Sequence, residues 1–248
     1  MRDEALCAPL SDDDLHIIEQ FKAGNRVVEA GTDLYYQGEP CSELYTLLDG
    51  WVYLYQILED GRRQILDFAL PGAFLGFQPD LGAPMMHSAQ CITDVAVCVF
   101  PRRNLLDLFR HHPELALRMA WITARDRTLA NEHLTNVGRR VARERVAHLL
   151  LELFYRVRLA HPSPHSDGVE LPLTQEHIGD ALGLTSVHVN RTLRQLREAG
   201  LVTVIGHTMQ VLDPDTLAEV AGFDSETVLQ RPVREADAFP RAQATSLA

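Results

Sequence analysis

At 248 residues the chain exceeds the size of one typical domain, so two modest domains are expected, and its 46% apolar content is enough for real cores. No apolar run approaches the ~18 to 20 residues that span a bilayer, and Met1-Arg2-Asp3-Glu4 lacks the basic and apolar blocks of a secretion signal, so a cytoplasmic protein without membrane association is expected. The net charge of −11 speaks against nucleic acid until it is divided: residues 138–212 alone are positive, with nine arginines against seven carboxylates. Arginine is the side chain best shaped for forked contacts with phosphate and guanine.

Residues 10–21 carry Leu15, Ile17, Ile18 and Phe21 at helical spacing, with a cap near Ser11. From Val27 to Phe100 short β-rich runs are punctuated by glycine, as in an antiparallel barrel or sandwich. Leu44–Leu48, Trp51–Tyr55 and Gln64–Phe68 read as strands, with Asp60-Gly61 as a hairpin turn. Cys91–Phe100 reads as one further strand, apolar on both faces and therefore deep in the fold.

After Pro113 the period turns helical. Leu115, Met119, Ile122, Leu129 and His133 follow a 3-4 spacing over residues 114–137, interrupted by Asp126. This stripe fits either packing on its own domain or a seam between two copies of the chain, and periodicity does not separate them. Gly138 is expected to end that helix, and Val141–Phe154 to build another. His161–Gly168 reads as a loop, and residues 225–248, polar and without periodicity, as a mobile tail.

Residues 174–200 are the most informative. Thr174 caps a short helix with Ile178, Ala181 and Leu182 inward, Gly183 ends it, and Thr185 caps a second helix with Val189, Leu193 and Leu196 inward. The opposite face then carries Ser186, Val187, Asn190, Arg191, Arg194 and Arg197. Two short helices joined through a glycine turn, the second with a polar, Arg-rich face, form a helix-turn-helix, and the hairpin Leu201–Leu212 about Gly206-His207 reads as a wing. Arg191 suits guanine, Asn190 adenine, and Ser186 and Val187 a thymine methyl. Arg194 and Arg197 climb towards phosphate, which Thr174, Gln175, Thr185 and His188 also reach from helix starts. Double-stranded DNA is the expected partner. Nucleophile motifs, phosphate-cradling glycine loops and HExxH spacing are missing from the sequence, so no catalysis is expected.

The sequence resembles the cyclic-AMP receptor protein/FNR (Crp/Fnr) family over Leu10–Phe223, through Leu70-Pro-Gly-Ala-Phe-Leu-Gly-Phe77, Ala142-Arg-Glu-Arg-Val-Ala147 and Leu173–Leu193, and it lies nearer the FNR/FixK branch. The resemblance implies an α+β chain: a cupin-like, cyclic-nucleotide-binding-like double-stranded β-roll sensor over 1–112, a dimerising helix over 113–137, and a winged helix-turn-helix over 138–224. It tips the long helix towards a homodimer seam of Leu115, Met119, Ile122, Asp126, Leu129 and His133, and it implies RNA polymerase as a partner. Departures from the family pattern matter too. A recognition-helix Glu is replaced by Val187, so a different operator is expected. The Gly-Glu and Arg-Ser-Ala runs that hold cyclic AMP are replaced by Leu75-Gly76-Phe77-Gln78 and His87-Ser88-Ala89, so cyclic AMP is not expected. Cys98 aligns with one ligand of the FNR iron-sulfur cluster, but Cys7 stands alone near the N-terminus, so a four-thiolate cluster is not expected and no cofactor is assigned. Cys41, Cys91 and Cys98 read as small buried hydrophobes and Cys7 as an inert or redox-active thiol; haem ligation by His87, His111, His112 or His133 stays open. The competing reading is an effector or redox sensor acting through protein contacts.

Overall fold

The computed structural model describes residues 12–160 and 168–228. Helix α1 (Asp12–Phe21) leads into eight strands: β1 (Gly24–Val28), β2 (Asp33–Tyr35), β3 (Glu43–Asp49), β4 (Val52–Ile57), β5 (Arg63–Ala69), β6 (Phe74–Leu75), β7 (Ser88–Cys91) and β8 (Val95–Pro101). They form two four-stranded antiparallel sheets, ordered β1-β8-β3-β6 and β2-β7-β4-β5. Between them lies a core of Leu47, Val52, Ala89, Val97 and their neighbours. After a 3-10 turn at Arg102–Asn104 come α2 (Leu105–His111), α3 (Pro113–Arg139) and α4 (Ala142–Ala160). The C-terminal part comprises β9 (Gly168–Glu170), α5 (Gln175–Leu182), α6 (Ser186–Glu198), β10 (Val202–Ile205), β11 (Thr208–Val211), α7 (Pro214–Ala221) and α8 (Ser225–Val228).

Four expectations are corrected. Cys91–Phe100 is not one strand: β7 and β8 belong to different sheets, and the chain crosses between them at Ile92-Thr93-Asp94. Side chains hold that crossing, with Thr93 Oγ1 accepting from Trp51 N at 3.0 Å and Asp94 Oδ1 from Ala30 N at 2.9 Å. A Cβ on Gly50 would lie 2.4 Å from the Asp94 carbonyl, so only glycine fits beneath it. Both faces of β8 are largely covered: Val95, Val97 and Val99 lie in the core between the sheets, while on the other face Cys98 is buried and Phe100 packs on Leu44, Leu105 and Leu108.

Gly138 does not stop α3, which runs to Arg139 and ends where Arg140 turns extended at ψ 151°. The glycine is exposed with open space around it, and its penalty of about 1 kcal/mol is small against a 27-residue helix. The wing is not a bare hairpin, since β9 adds to β11 and makes it three-stranded. Ser225–Val228 form the helical turn α8 against α3 and α4 rather than opening the tail; residues 229–248 and 161–167 lie outside the described residues, as do Cys7 and Ser11.

The two halves share one core. Trp51, Tyr53, Tyr55, Ile65, Phe68 and Leu70 of the β-roll join Leu149, Leu153, Ile178, Ala181 and Leu182 in a single apolar cluster. The register shift between Leu54 and Tyr55 leaves Leu66 as an extra residue in β5. Ile65 and Phe68, opposite Tyr55 and Tyr53, therefore share a face despite being three apart.

Candidate nucleic-acid interface

Helix α5 starts at Thr174, whose Oγ1 accepts from His177 N at 3.1 Å while His177 Nδ1 accepts from Thr174 N at 3.3 Å, a reciprocal cap. It ends at Gly183 in the left-handed region, φ 65°. Thr185 then caps α6 by accepting from His188 N at 3.2 Å. Sequence reading missed the role of Gly179. A Cβ there would lie 2.5 Å from the Leu184 carbonyl, so this glycine lets the turn fold back against α5. An unexplained glycine inside a short helix was the available signal.

Val189, Thr192 and Leu196 are buried under α6, and Leu193 is half-buried. Thr192, unanticipated in that stripe, satisfies its hydroxyl on the His188 carbonyl at 2.9 Å. Ser186, Val187, Asn190, Arg191, Arg194 and Arg197 all stand exposed, and Val187 is 78% accessible, a large apolar side chain presented to solvent. Arg191 Nη2 lies 3.4 Å from His188 Nε2, and Arg194 donates to Glu198 at 2.7 Å. Thr174, Gln175 and Thr185 are exposed at the two helix starts, and His188 is half-buried beside them. At the wing tip Ile205 is exposed beside Gly206, φ 59°. This is a surface of forked cations, amides and one apolar contact on a rigid helix, the chemistry that reads base edges in a major groove.

Within the single chain the anticipated seam residues differ in exposure: Leu115 and Leu129 are buried, and Met119, Ile122, Asp126 and His133 are half-buried. Leu115 is buried against Leu44, Leu105 and Leu108, with Met119 packed on that cluster. Leu129 is buried, and Asp126 and His133 line a small cavity with Asp67, Phe68, Leu149 and Glu152; Ile122 is half-buried. Leu115, Met119 and Leu129 pack within the chain, while Leu117, Ala120, Ala124 and Leu134 stand exposed along another side of α3, with Arg127 and Asn131 among them. A 27-residue helix with two apolar stripes gives a periodicity that does not say which one faces home.

In the β-roll, Gln78 is buried and fully engaged. Its Nε2 donates to the carbonyls of Asp80 and Ala83, with the Pro84 carbonyl sharing one of the two hydrogens at 3.2 Å, and its Oε1 accepts from Met86 N. His87 shares a 3.2 Å hydrogen bond with the Tyr35 hydroxyl, and burial holds its pKa down. Ser88 Oγ accepts from Gln37 N at 2.8 Å. Gln78, His87 and Ser88 themselves carry neither a carboxylate nor a guanidinium. Cys91 and Cys98 are buried, and desolvation pushes the Cys91 thiol up to about 11. Cys41 is half-buried and donates to the Glu43 carbonyl. Among the described residues no three His, Cys, Asp or Glu side chains converge on a metal-sized site, and no helix is long and apolar enough to cross a membrane.

A β-roll joined through a long helix to a winged helix-turn-helix defines a DNA-binding regulator. Residues 144–220 match the Crp-like helix-turn-helix domain and residues 25–112 the cyclic nucleotide-binding domain. The chain is 37% identical over 216 residues to the transcriptional activatory protein AadR of Rhodopseudomonas palustris, covering 86% of this chain and 87% of that one. It is 35% identical over 222 residues to the nitrogen fixation regulation protein FixK of Bradyrhizobium diazoefficiens, covering 89% and 91%. The solved structure of FixK2 from Bradyrhizobium japonicum aligns with TM-score 0.71 and 29% identity, covering 81% of this chain and 98% of that one. The chain belongs to the Crp/Fnr family of transcription regulators, in its FNR/FixK branch.

Proposed function

We propose that the chain works as a homodimer that reads a near-palindromic operator, each α6 entering a major groove at half-sites about one helical turn, ~34 Å, apart. The observation that carries this reading is the outer side of α6, where Val187, Asn190 and Arg191 stand exposed on a helix capped by Thr185. Ser186, Val187, Asn190 and Arg191 meet base edges; Thr174, Gln175, Thr185, His188, Arg194 and Arg197 meet phosphates. With Val187 at the Glu position, no carboxylate accepts from a cytosine amine at that step, and its methyls favour thymine. Leu117, Ala120, Ala124 and Leu134 are the seam, because α3 exposes them along one side after its other stripe is spent on the chain's own core. RNA polymerase is the downstream partner in the cytoplasm, and the chain carries out no catalysis.

Neither cyclic AMP nor a four-thiolate cluster is the signal in this reading. Gln78 has already spent its amide inside its own loop, and Cys98 stands buried in β8 without the clustered thiols such a site requires. The test is selection of duplexes from a random pool, followed by Arg191→Ala. The variant should lose preference at one base pair per half-site, at about 1 to 3 kcal/mol. Uniform weakening across all sequences would make Arg191 a phosphate contact, and a wild-type protein that prefers no duplex would overturn the reading.

A further inference from the structure

The sheet β2-β7-β4-β5 carries on its outer side a run of polar side chains, one from each strand in the order in which the strands lie. Asp33 of β2 is directly opposite Gln90 of β7, and Gln90 is directly opposite Tyr53 of β4. Gln90 Nε2 donates to Asp33 Oδ2 at 2.9 Å, and the Tyr53 hydroxyl donates to Gln90 Oε1. Arg63 of β5 donates through Nη1 to the Tyr53 oxygen at 2.9 Å, with its guanidinium 5.2 Å from the centre of that ring.

The run does not stop at the sheet. Arg63 Nε donates to Asp180 Oδ2 at 2.7 Å and its Nη2 to Glu176 Oε1 at 3.3 Å, both on α5 of the helix-turn-helix. The Tyr53 ring also lies against His177, 5.3 Å between centroids, and Gln64 Nε2 donates to the Ala181 carbonyl at 3.1 Å. Tyr53 is fully buried, and Arg63 and Asp180 are each about three-quarters covered. Partly desolvated hydrogen bonds in series have little freedom to shift singly, so displacing one member displaces its neighbour.

We propose that the ladder Asp33–Gln90–Tyr53–Arg63–Asp180 couples the β-roll to the DNA-reading head, with Arg63 as the positioning residue that fixes the pose in which α5 presents Thr174 and Gln175 to a phosphate. A change in the sheet that moves Gln90 reaches α5 through two side chains, and the reading head loses its register. The functional part rests on the DNA reading above; the mechanical part does not.

The test measures operator affinity by fluorescence anisotropy and amide exchange of α5 by mass spectrometry, for Gln90→Leu, Tyr53→Phe, Arg63→Met and the Gln90→Leu/Arg63→Met double variant. Gln90→Leu and Tyr53→Phe, which remove no charge, should weaken operator binding about three- to tenfold with the salt dependence unchanged, and should speed exchange of the α5 amides. The double variant should be no weaker than its weaker parent, because either change breaks the same ladder. Tyr53→Phe keeps the aromatic packing, so it decides the matter if Gln90→Leu unfolds the sheet. The proposal is overturned if Gln90→Leu and Tyr53→Phe leave α5 exchange at the wild-type rate, or if the effects in the double variant multiply. A wild-type protein that selects no operator would sink the DNA reading, and the exchange measurement would still decide the coupling.

Discussion

Lowering the pH should destabilise the fold through its buried and half-buried histidines, and most of all through His148. It lies in α4, 3% exposed, with its ring edge-on to Phe223 at 5.1 Å and its Nδ1 without a hydrogen-bond partner. Burial, reinforced by the nearby Arg140 charge, pushes its pKa down to about 4 from the ordinary 6.5. The folded chain therefore holds the ring neutral while the unfolded chain takes up a proton below 6.5. The contribution to stability is complete above pH 6.5 and drains as the pH falls towards 4, where the folded ring is protonated too. At pH 5 the unfolded ring is almost wholly charged and the folded ring about nine-tenths neutral, a difference of about 2 kcal/mol. Urea denaturation at fixed protein concentration, at pH 7.5 and pH 5.0, should show a loss about 2 kcal/mol larger in the wild type than in His148→Gln, which keeps the smaller contributions of His87, His133 and His177. Glu152, whose pKa burial raises, acts in the opposite sense, losing stability as the pH rises, so the wild-type-minus-variant difference is the quantity to read. Equal losses in both proteins would mean that the ring is hydrated or already charged, and the account of its burial would fail.

Gly179→Ala should weaken operator binding beyond its effect on folding, at a cost of about 1 to 3 kcal/mol in stability, because the new methyl pushes the Leu184 carbonyl and with it the start of α6; thermal melts beside anisotropy titrations check it. Leu117→Glu with Leu134→Glu should convert a dimer to a monomer in sedimentation velocity, since both side chains are more than 60% exposed in the single chain, and an unchanged sedimentation coefficient would move the seam elsewhere. Cys91, its thiol near 11, has about one part in a thousand as thiolate at pH 8, so iodoacetamide should leave it unmodified in native buffer and label it rapidly in urea.

The reading head was legible because its determinants are local: two threonine caps, a left-handed glycine and a 3-4 stripe lie within 24 residues. The errors arose where the decisive partner is distant in sequence. Cys91–Phe100 looks like one strand because Ile92 and Thr93 have strand-like side chains, and only Trp51 N and Ala30 N, 42 and 64 residues away, show the crossing between sheets. The apolar stripe of α3 was found, but its direction depends on Leu44 and Leu105, which periodicity does not see. The third wing strand escaped because β9 has three residues, too few to show alternation. Arg63 carried no motif at all; its role appears only when α5 lies on β5.

That placement constrains how a signal can travel. Tyr53, Tyr55, Ile65 and Phe68 point away from the β-roll core, and an apolar outer face on a small sheet must be covered. In this chain α4 and α5 cover it, so parting the halves exposes several large side chains, at about 1.5 to 3 kcal/mol for each one left in water. A gradual tilt of the reading head would pay part of that penalty at every intermediate angle. The reading head should therefore occupy a few discrete poses, each with this face re-covered, and in the coupling proposed above the ladder through Arg63 favours the one in which its bonds to Asp180 and Glu176 are made.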